Sequence, residues 1–444
     1  MVFLPGGRFL QGVSGSNENH PDLYDGSYLV NTTNAVVVTV NYRLGALGFL
    51  RTNDLDGNYG IQDQRMVLHW VQDHISNFGG DPTKVTLMGQ SAGGTSVSVH
   101  LVSTLSKGLF HRAVILSNPL FLEMKTKDEA QKTGEYFSKQ IGCDDQSSAC
   151  LRGKSVDDVL AAQGKASNHI EILHPVLLFY PFTPSVDAYA GEFSDQPMNL
   201  FFDGTVVNNV PVMAGHLLDE ALMFVYGAVT SRMSITEYIA AVTLIFGPGN
   251  EHEIRKEYPC HPLLKHGDDC RIEFSRLATD LVMNCVTRKA MRSLSKAGVG
   301  QGHLYRYQFS HAVSNSVSSA IWGDEYKYCW NKAVGGVLDD PVCHGQDLPF
   351  WLSTLGGSGH SFTPAEEVFS NQLMTALGNF FESGDPNSGS TGALSSPWPA
   401  YTAENNYQSY NLTADGNKAI ADPTPDACDL WDEINNGAYY RMGK

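Results

Sequence analysis

Residues 78–94 read FGGDPTKVTLMGQSAGG, a segment in which a short apolar run leads directly into a glycine-rich turn. The β-branched and apolar residues 85–88 predict a buried strand, and the small residues 92–101 predict a tightly packed helix. Between them, residues 89–93 carry Ser91 in a G-x-S-x-G pattern. A serine in such a turn has a strained backbone, so glycines are needed where a Cβ would clash. The segment indicates an exposed, nucleophilic hydroxyl, although so short a pattern also occurs by chance in ordinary glycine-rich turns.

Further strands and helices are predicted on both sides of this turn. Residues 2–4 predict a strand that ends in the loop Pro5-Gly6-Gly7-Arg8-Phe9, and residues 34–41 predict a central strand buried on both faces. Other predicted strands lie at 112–116, 210–215 and 304–309, and predicted helices lie at 61–78, 233–246, 271–294 and 365–382. Alternation of strands and helices is typical of an α/β protein with a mostly parallel sheet.

Composition excludes several classes of function. The chain has 444 residues, of which 42% are apolar, so it can bury a large core. Lys and Arg number 30 against 47 Asp and Glu, a net charge of −17 that argues against a nucleic-acid-binding surface. No apolar run approaches the roughly 18 residues of a transmembrane helix. The sequence gives no indication of a metal site or a cofactor.

The cysteine pattern favours an oxidising compartment. The chain has eight cysteines, and the close pairs Cys143/Cys150, Cys260/Cys270 and Cys329/Cys343 leave Cys285 and Cys428. Local pairs of this kind are typical of disulfides, and zinc-binding spacings are absent. The sequons at Asn31 and Asn411 predict glycosylation and agree with a secreted protein or one in the lumen of the secretory pathway. The chain begins without a signal peptide, which leads us to expect further sequence upstream.

A serine nucleophile needs a histidine base, which a carboxylate orients. In hydrolase order the acid and then the histidine follow the serine, each on a loop after a strand. His344 fits as the base, because it lies between a cysteine that could fix its loop and a glycine that permits close backbone approach. Glu220 fits as the acid, since it closely follows the predicted strand 210–215, and the neighbouring Asp219 is the alternative.

These segments resemble the type-B carboxylesterases, the family that includes the cholinesterases. Residues 78–94 match every fixed position of the family's long serine signature. The other segments that resemble family motifs are 41–49, 58–64, 215–220, 343–349, 384–387 and 428–431. The resemblance implies an α/β-hydrolase fold with helices on both faces of the sheet. It also implies one domain over 1–444 that lacks its N-terminal region, and a long-range disulfide between Cys285 and Cys428.

The resemblance also implies a mechanism. Ser91 would attack an ester carbonyl, His344 would take its proton, and Glu220 would orient the imidazole. The N–H groups of Gly7, Arg8 and Ala92 would bind the oxyanion. Arg8 stands where the family pattern has a third glycine or another small residue. Its N–H can donate if its φ is negative. Its guanidinium would narrow the site or favour an anionic group, and the alternative is that the side chain turns outward.

The sequence therefore predicts a serine carboxylesterase that acts on small-molecule esters. The alternative is a catalytically impaired or non-catalytic relative, of the adhesion or storage type, and a peptidase with the same fold is a third possibility. The presence of Ser91, Glu220 and His344 together favours the enzyme. The oligomeric state and the acyl and alcohol preferences do not follow from the sequence.

Overall fold

A computed structural model describes most of the chain and positions the elements around the predicted serine turn. The described residues are 1–15, 22–167, 181–187, 192–260, 269–314, 317–318, 321, 324–330, 337–355 and 361–434.

The described strands form one sheet. They are β1 (Val2–Leu4), β2 (Val38–Thr39), β3 (Thr86–Gln90), β4 (Arg112–Leu116), β5 (Val212–Leu217), β6 (Leu304–Phe309), β7 (Ser409–Leu412) and β8 (Lys418–Ile420). Their order across the sheet is β2-β1-β3-β4-β5-β6-β7-β8. Strands β1 to β7 are parallel, and β8 is antiparallel to β7. The loops that follow the parallel strands therefore meet at one edge, where ligand sites of open α/β sheets lie.

The helices alternate with the strands. Those before β5 are α1 (Ser27–Thr33), α2 (Gly45–Phe49), α3 (Tyr59–His74), α4 (Ala92–Val102), α5 (Lys127–Gln140), α6 (Ser148–Arg152), α7 (Val156–Ser167) and α8 (Pro197–Phe202). Those after β5 are α9 (Leu222–Ala228), α10 (Ile235–Phe246), α11 (Glu251–Glu257), α12 (Arg271–Thr279), α13 (Cys285–Lys296), α14 (Leu348–Leu352), α15 (Pro364–Ser383) and α16 (Pro425–Glu433). A π-helical turn (Asp280–Asn284) joins α12 to α13.

Two hydrophobic cores cover the two faces of the sheet. Along β1, Val2 and Leu4 belong to one core, whereas Phe3, which points to the opposite face, belongs to the other. Val97 of α4 packs into the first core, and Phe369 of α15 packs into the second. The predicted α/β class, with a mostly parallel sheet and helices on both faces, is confirmed.

The predicted central strand at 34–41 is wrong. Only Val38 and Thr39 are extended in the sheet, and both are half-buried. In the described part of the chain β2 is an edge strand that pairs with β1 alone. Its run of β-branched residues reflects strand propensity, which does not distinguish an edge strand from a central one.

The predicted helix at 61–78 has the right location but a different buried face. Met66 and Trp70 are 72% and 41% exposed, while Ile61, Leu68 and Val71 are buried. The sequence pattern allowed spacings of five, which do not keep residues on one helical face. The predicted helix at 271–294 is interrupted by the π-helical turn, and β7 and β8 were not predicted.

All eight cysteines are paired in the structure. The disulfides join Cys143 to Cys150, Cys260 to Cys270, Cys285 to Cys428 and Cys329 to Cys343, as expected. The bridge from Cys285, at the start of α13, to Cys428 on α16 spans 143 residues. It holds the C-terminal helix against the helix that follows the π-helical turn.

We expect the long bridge to contribute more stability than a short one. Loop-closure entropy predicts a loss of about 5 kcal/mol for Cys285→Ala/Cys428→Ala, and about 2.5 kcal/mol for the matched control Cys143→Ala/Cys150→Ala, whose loop spans 7 residues. Urea unfolding of both double variants measures the two losses. Equal losses would contradict the expectation.

Candidate active site

Ser91 has the backbone conformation that the sequence pattern predicts. It lies between β3 and α4 with φ 57° and ψ −122°, a combination that is uncommon for a residue with a side chain. Its N–H donates to the carbonyl of Leu116 at 2.9 Å, and its own carbonyl accepts from the N–H of Thr95 at 2.9 Å. These bonds join the turn to the neighbouring strand on one side and to the first turn of α4 on the other.

The glycines around Ser91 allow three backbones to come together. A Cβ on Gly93 would lie 1.9 Å from the carbonyl oxygen of Leu4, so α4 could not pack against the end of β1. A Cβ on Gly89 would lie 2.4 Å from the carbonyl oxygen of Gly93. Side chains at either position would push the helix away from the sheet, which explains both glycines of the pattern.

Glu220 lies on the loop after β5 and is fully buried. One carboxylate oxygen, Oε1, accepts from the N–H of Leu217 at 2.8 Å. The other, Oε2, lies 2.5 Å from Nδ1 of His344. The contact places the proton of a neutral imidazole on Nδ1, where it donates to the carboxylate, and leaves Nε2 as the basic nitrogen.

Three contacts fix the loop that carries His344. Val342 and Asp219 are joined by two hydrogen bonds. The N–H of Asp219 donates to the carbonyl of Val342 at 2.9 Å, and the N–H of Val342 donates to Oδ2 of Asp219 at 3.0 Å. Cys343 is bridged to Cys329, and its N–H donates to Oε1 of Gln346 at 2.6 Å. The histidine itself is 3% exposed, so its ring has little freedom to turn.

The alternative acid, Asp219, has a different role in this arrangement. Its carboxylate is committed to the N–H of Val342, and burial raises its pKa to about 6. The carboxylate at the imidazole is that of Glu220. Asp219 thus attaches the histidine loop to the acid loop through the backbone.

The loop that carries Glu220 is also supported from α12. The hydroxyl of Thr279 accepts from the N–H of Ala221 at 3.0 Å. Thr279 precedes the π-helical turn, and Asn284 at the end of that turn binds Arg306 of β6. The irregular turn is therefore held at both ends, which fixes the support of the acid loop.

The elbow reaches the histidine through the residue before the serine. Nε2 of Gln90 lies 3.1 Å from Nε2 of His344. In the described part of the chain, the Ser91 hydroxyl makes no hydrogen bond to His344. The structure thus brings Glu220 and His344 together and places the serine turn beside them, with Gln90 on the basic nitrogen.

The loop proposed for the oxyanion site packs on the same elbow. A Cβ on Gly6 would lie 2.9 Å from Cβ of Ser91, and Gly7 has φ 119°. Ala92 is the first residue of α4, so its N–H has no acceptor within the helix. Arg8 has φ 59°, whereas the sequence argument required a negative φ, and Phe9 follows with φ 58°. Phe9 is buried and makes a T-shaped contact with Phe49.

The two predicted glycosylation sites differ in accessibility. Asn31 is exposed on α1. Asn411 is half-buried on β7, and its Oδ1 accepts from the hydroxyl of Ser310 at 2.7 Å.

Three residues near the imidazole were given no role by the sequence argument. Gln90 occupies a variable position of the G-x-S-x-G pattern, so the motif carries no signal for it. Phe224 lies edge-on to His344 with ring centroids 5.1 Å apart. Asp347 is fully buried and accepts from Nε1 of Trp351 at 3.0 Å. Asp347 follows His344 by three residues, and this short separation was the one sequence feature that could have indicated a carboxyl group near the imidazole.

Among the carboxyl groups near His344, Asp347 has the most strongly shifted pKa. Burial, reinforced by the charge of Glu220, raises its pKa to about 7. Its Oδ1 atom is buried and has no hydrogen-bond partner among the described residues. A carboxyl with one unpaired buried oxygen is costly to ionise.

Comparison with known proteins identifies the family. The carboxylesterase family matches residues 1–431. The crystal protein of Dictyostelium discoideum is 32% identical over 442 residues, which cover 99% of this chain and 74% of that protein. The cAMP-regulated D2 protein of the same organism is 32% identical, covering 88% of this chain and 67% of its own length. Acetylcholinesterase of Bungarus fasciatus is 28% identical, covering 91% of this chain and 64% of its own length.

The chain belongs to the carboxylesterase family. The predicted resemblance to type-B carboxylesterases is confirmed, and so is the enzyme class at family level, which is carboxylic-ester hydrolase. Within the described ranges, no helix combines the length and the apolar character that spanning a bilayer requires.

Asp347 predicts a specific pH dependence of stability. Its pKa is about 7 in the folded protein against an ordinary value of 3.8, so between these pH values the folded state holds a proton that the unfolded state lacks. Stability then falls as pH rises through this window. Asp347→Asn keeps an acceptor for Trp351 and removes the charge, so we expect a gain on the order of a few kcal/mol at pH 8.

Urea unfolding at several values between pH 4 and pH 8 measures this effect. The matched control is Asp73→Asn, at an exposed carboxylate of α3, which should follow the wild-type curve. Parallel curves for wild type and Asp347→Asn would show that the carboxyl does not titrate as described.

Proposed function

We propose that the protein is a serine carboxylesterase that hydrolyses carboxylic esters through an acyl-enzyme on Ser91. The observation that carries the proposal is the 2.5 Å contact between Nδ1 of His344 and Oε2 of Glu220, made beside the strained serine turn. A buried carboxylate on one imidazole nitrogen makes the other nitrogen a base. That nitrogen lies 3.1 Å from the amide of Gln90, the residue that directly precedes Ser91.

The reaction has two steps. Ser91 Oγ forms a bond to the ester carbonyl carbon while its proton passes to Nε2 of His344, and that proton then goes to the leaving alcohol. Water then attacks the acyl carbon and passes a proton to Nε2 of His344. The bond from that carbon to Ser91 Oγ breaks, Oγ takes the proton from Nε2, and the acid leaves. Glu220 orients the imidazole and stabilises the imidazolium in both steps.

Backbone N–H groups of Gly7 and Ala92 are proposed to bind the oxyanion, whereas Arg8, with φ 59°, does not meet the condition set for its N–H. The close packing of Gly6 on Ser91 supports this assignment, because it brings the loop to the nucleophile. In the described residues, the N–H of Gly7 donates no hydrogen bond, so it is available to a substrate oxygen. Preorganised donors of this kind are usually the largest electrostatic contribution to acyl transfer.

The proposal extends to the setting of the protein. The disulfides and the exposed sequon at Asn31 support a secreted or luminal glycoprotein. A small-molecule ester is the proposed partner, with no nucleic acid. One sheet that takes strands from Val2 to Ile420 supports a single domain.

A non-catalytic role is the second candidate. One relative at 32% identity is named crystal protein, a name that states no activity. The contact of Gln90 with Nε2 of His344 also fits a non-catalytic role, because the amide occupies the nitrogen that would take the proton of Ser91. Ester turnover by the folded protein distinguishes the two candidates.

A fluorophosphonate probe tests the nucleophile. We expect covalent labelling of the wild-type protein at Ser91 and its loss in Ser91→Ala, together with at least an approximately 10³-fold loss of p-nitrophenyl ester turnover. Labelling is read by peptide mass spectrometry, because the probe forms a stable bond to an activated serine.

Ser96→Ala is the matched control. Ser96 is a buried serine on the same helix, and its hydroxyl binds the carbonyl of Ala92 and Nε2 of Gln64. This variant should keep its label. A folded wild-type protein that neither labels nor hydrolyses esters would favour the non-catalytic candidate.

Arg8→Gly tests the backbone origin of the oxyanion site. Glycine keeps the N–H and adopts a φ near 59° without strain, so kcat/KM for a neutral ester should change by less than about tenfold. Loss of one oxyanion donor costs about 10²–10³-fold. A loss of that size in Arg8→Gly would mean that the guanidinium, and not the backbone, binds the oxyanion.

A further inference from the structure

The basic nitrogen of His344 is occupied before any substrate binds. Nδ1 faces Glu220 at 2.5 Å and holds the proton, so Nε2 carries the lone pair. The 3.1 Å contact between this nitrogen and Nε2 of Gln90 is therefore a hydrogen bond in which the amide donates. Ser91 would have to donate its proton to this lone pair of Nε2, which already accepts a hydrogen bond from Gln90.

The side chain of Gln90 is confined to this position. Gln90 ends β3 opposite Leu116 and is 4% exposed. A Cβ on Gly6 would lie 2.7 Å from Oε1 of Gln90, so the amide oxygen faces the Gly6 backbone and the amide nitrogen faces the imidazole. The contact is thus part of a packed core and is not a chance surface approach.

The other neighbours of the imidazole define its charge environment. Glu220 comes from the loop after β5, and Asp347 comes from the histidine's own segment. Phe224 of α9 contributes an uncharged ring, and β3 contributes Gln90, also uncharged. The group on Nε2 is therefore neutral, while the acidic groups lie elsewhere around the ring.

We propose that Gln90 is a positioning residue that occupies Nε2 of His344 at rest and must turn its amide before Ser91 is activated. The inference rests on the proposed function. The amide first turns away from Nε2, so that the Ser91 hydroxyl can donate to the freed lone pair. Once the Ser91 proton has moved to Nε2, that nitrogen is a donor, and the oxygen of the turned amide can accept from it. Gln90 gains and loses no proton.

Because residue 90 is uncharged, it influences the pH at which kcat/KM falls on the acidic side. A carboxylate at this distance would stabilise the imidazolium, so the base would stay protonated to higher pH. The uncharged amide of Gln90 provides no such stabilisation of the imidazolium.

Two substitutions separate this role from simple packing. In Gln90→Glu, we expect the midpoint of the acid limb of kcat/KM to rise by about one to three pH units. In Gln90→Met, which has similar length and no donor, we expect the rate constant for fluorophosphonate labelling at pH 8 to rise about 2–10-fold, the equivalent of one lost hydrogen bond. The measurements are a pH–rate profile with a p-nitrophenyl ester and a labelling time course.

Gln64→Met is the matched control. Oε1 of Gln64 contacts Nε2 of the buried His100 at 3.0 Å, so this variant also removes a buried glutamine–histidine bond. It should lower stability and leave the acid limb and the labelling rate unchanged. If the wild-type protein is active, the inference would be overturned by an unchanged acid limb of kcat/KM in Gln90→Glu or by slower labelling in Gln90→Met. A wild-type protein without labelling or turnover would instead refute the proposed function.

Discussion

The backbone conformation of Ser91 is the constraint on which the rest of the site depends. A residue with φ 57° at the end of a buried strand persists only if its surroundings leave no alternative. Here the surroundings are the end of β1, the start of α4 and the neighbouring strand β4. Gly93 allows the first two to touch, with a hypothetical Cβ 1.9 Å from the carbonyl of Leu4.

That packing determines where the other groups must be. With α4 against β1, the loop after β1 lies directly on the serine, which explains the close approach of Gly6. The parallel sheet brings the loop after β5 to the same edge, and the histidine loop joins it through the backbone bonds of Asp219. The Cys329–Cys343 bridge then fixes the residue before His344. Each loop is thus tied to another and none depends on a single contact.

The sequence predicted the parts of this arrangement that depend on local pattern. Glycine spacing identified the elbow, and chain order selected Glu220 and His344 from many acids and histidines. It could not predict that residues 34–41 contribute only an edge strand, because propensity carries no information on neighbours. Nor could it predict Gln90 or the raised pKa of Asp347, since both depend on which side chains meet in three dimensions. Arg8 was recognised as a departure from the family pattern, but the sequence did not predict its positive φ.

Glu220 contacts Nδ1 of His344, and the neutral amide of Gln90 lies 3.1 Å from Nε2 of the same ring. This combination agrees with membership of the carboxylesterase family and makes the acyl-enzyme the decisive species. The most direct measurement is rapid acid quenching of the protein with p-nitrophenyl acetate, followed by peptide mass spectrometry. The account predicts one acetyl group per active protein, located on Ser91. Turnover without an acyl-serine, or an acetyl group located on another residue, would contradict it.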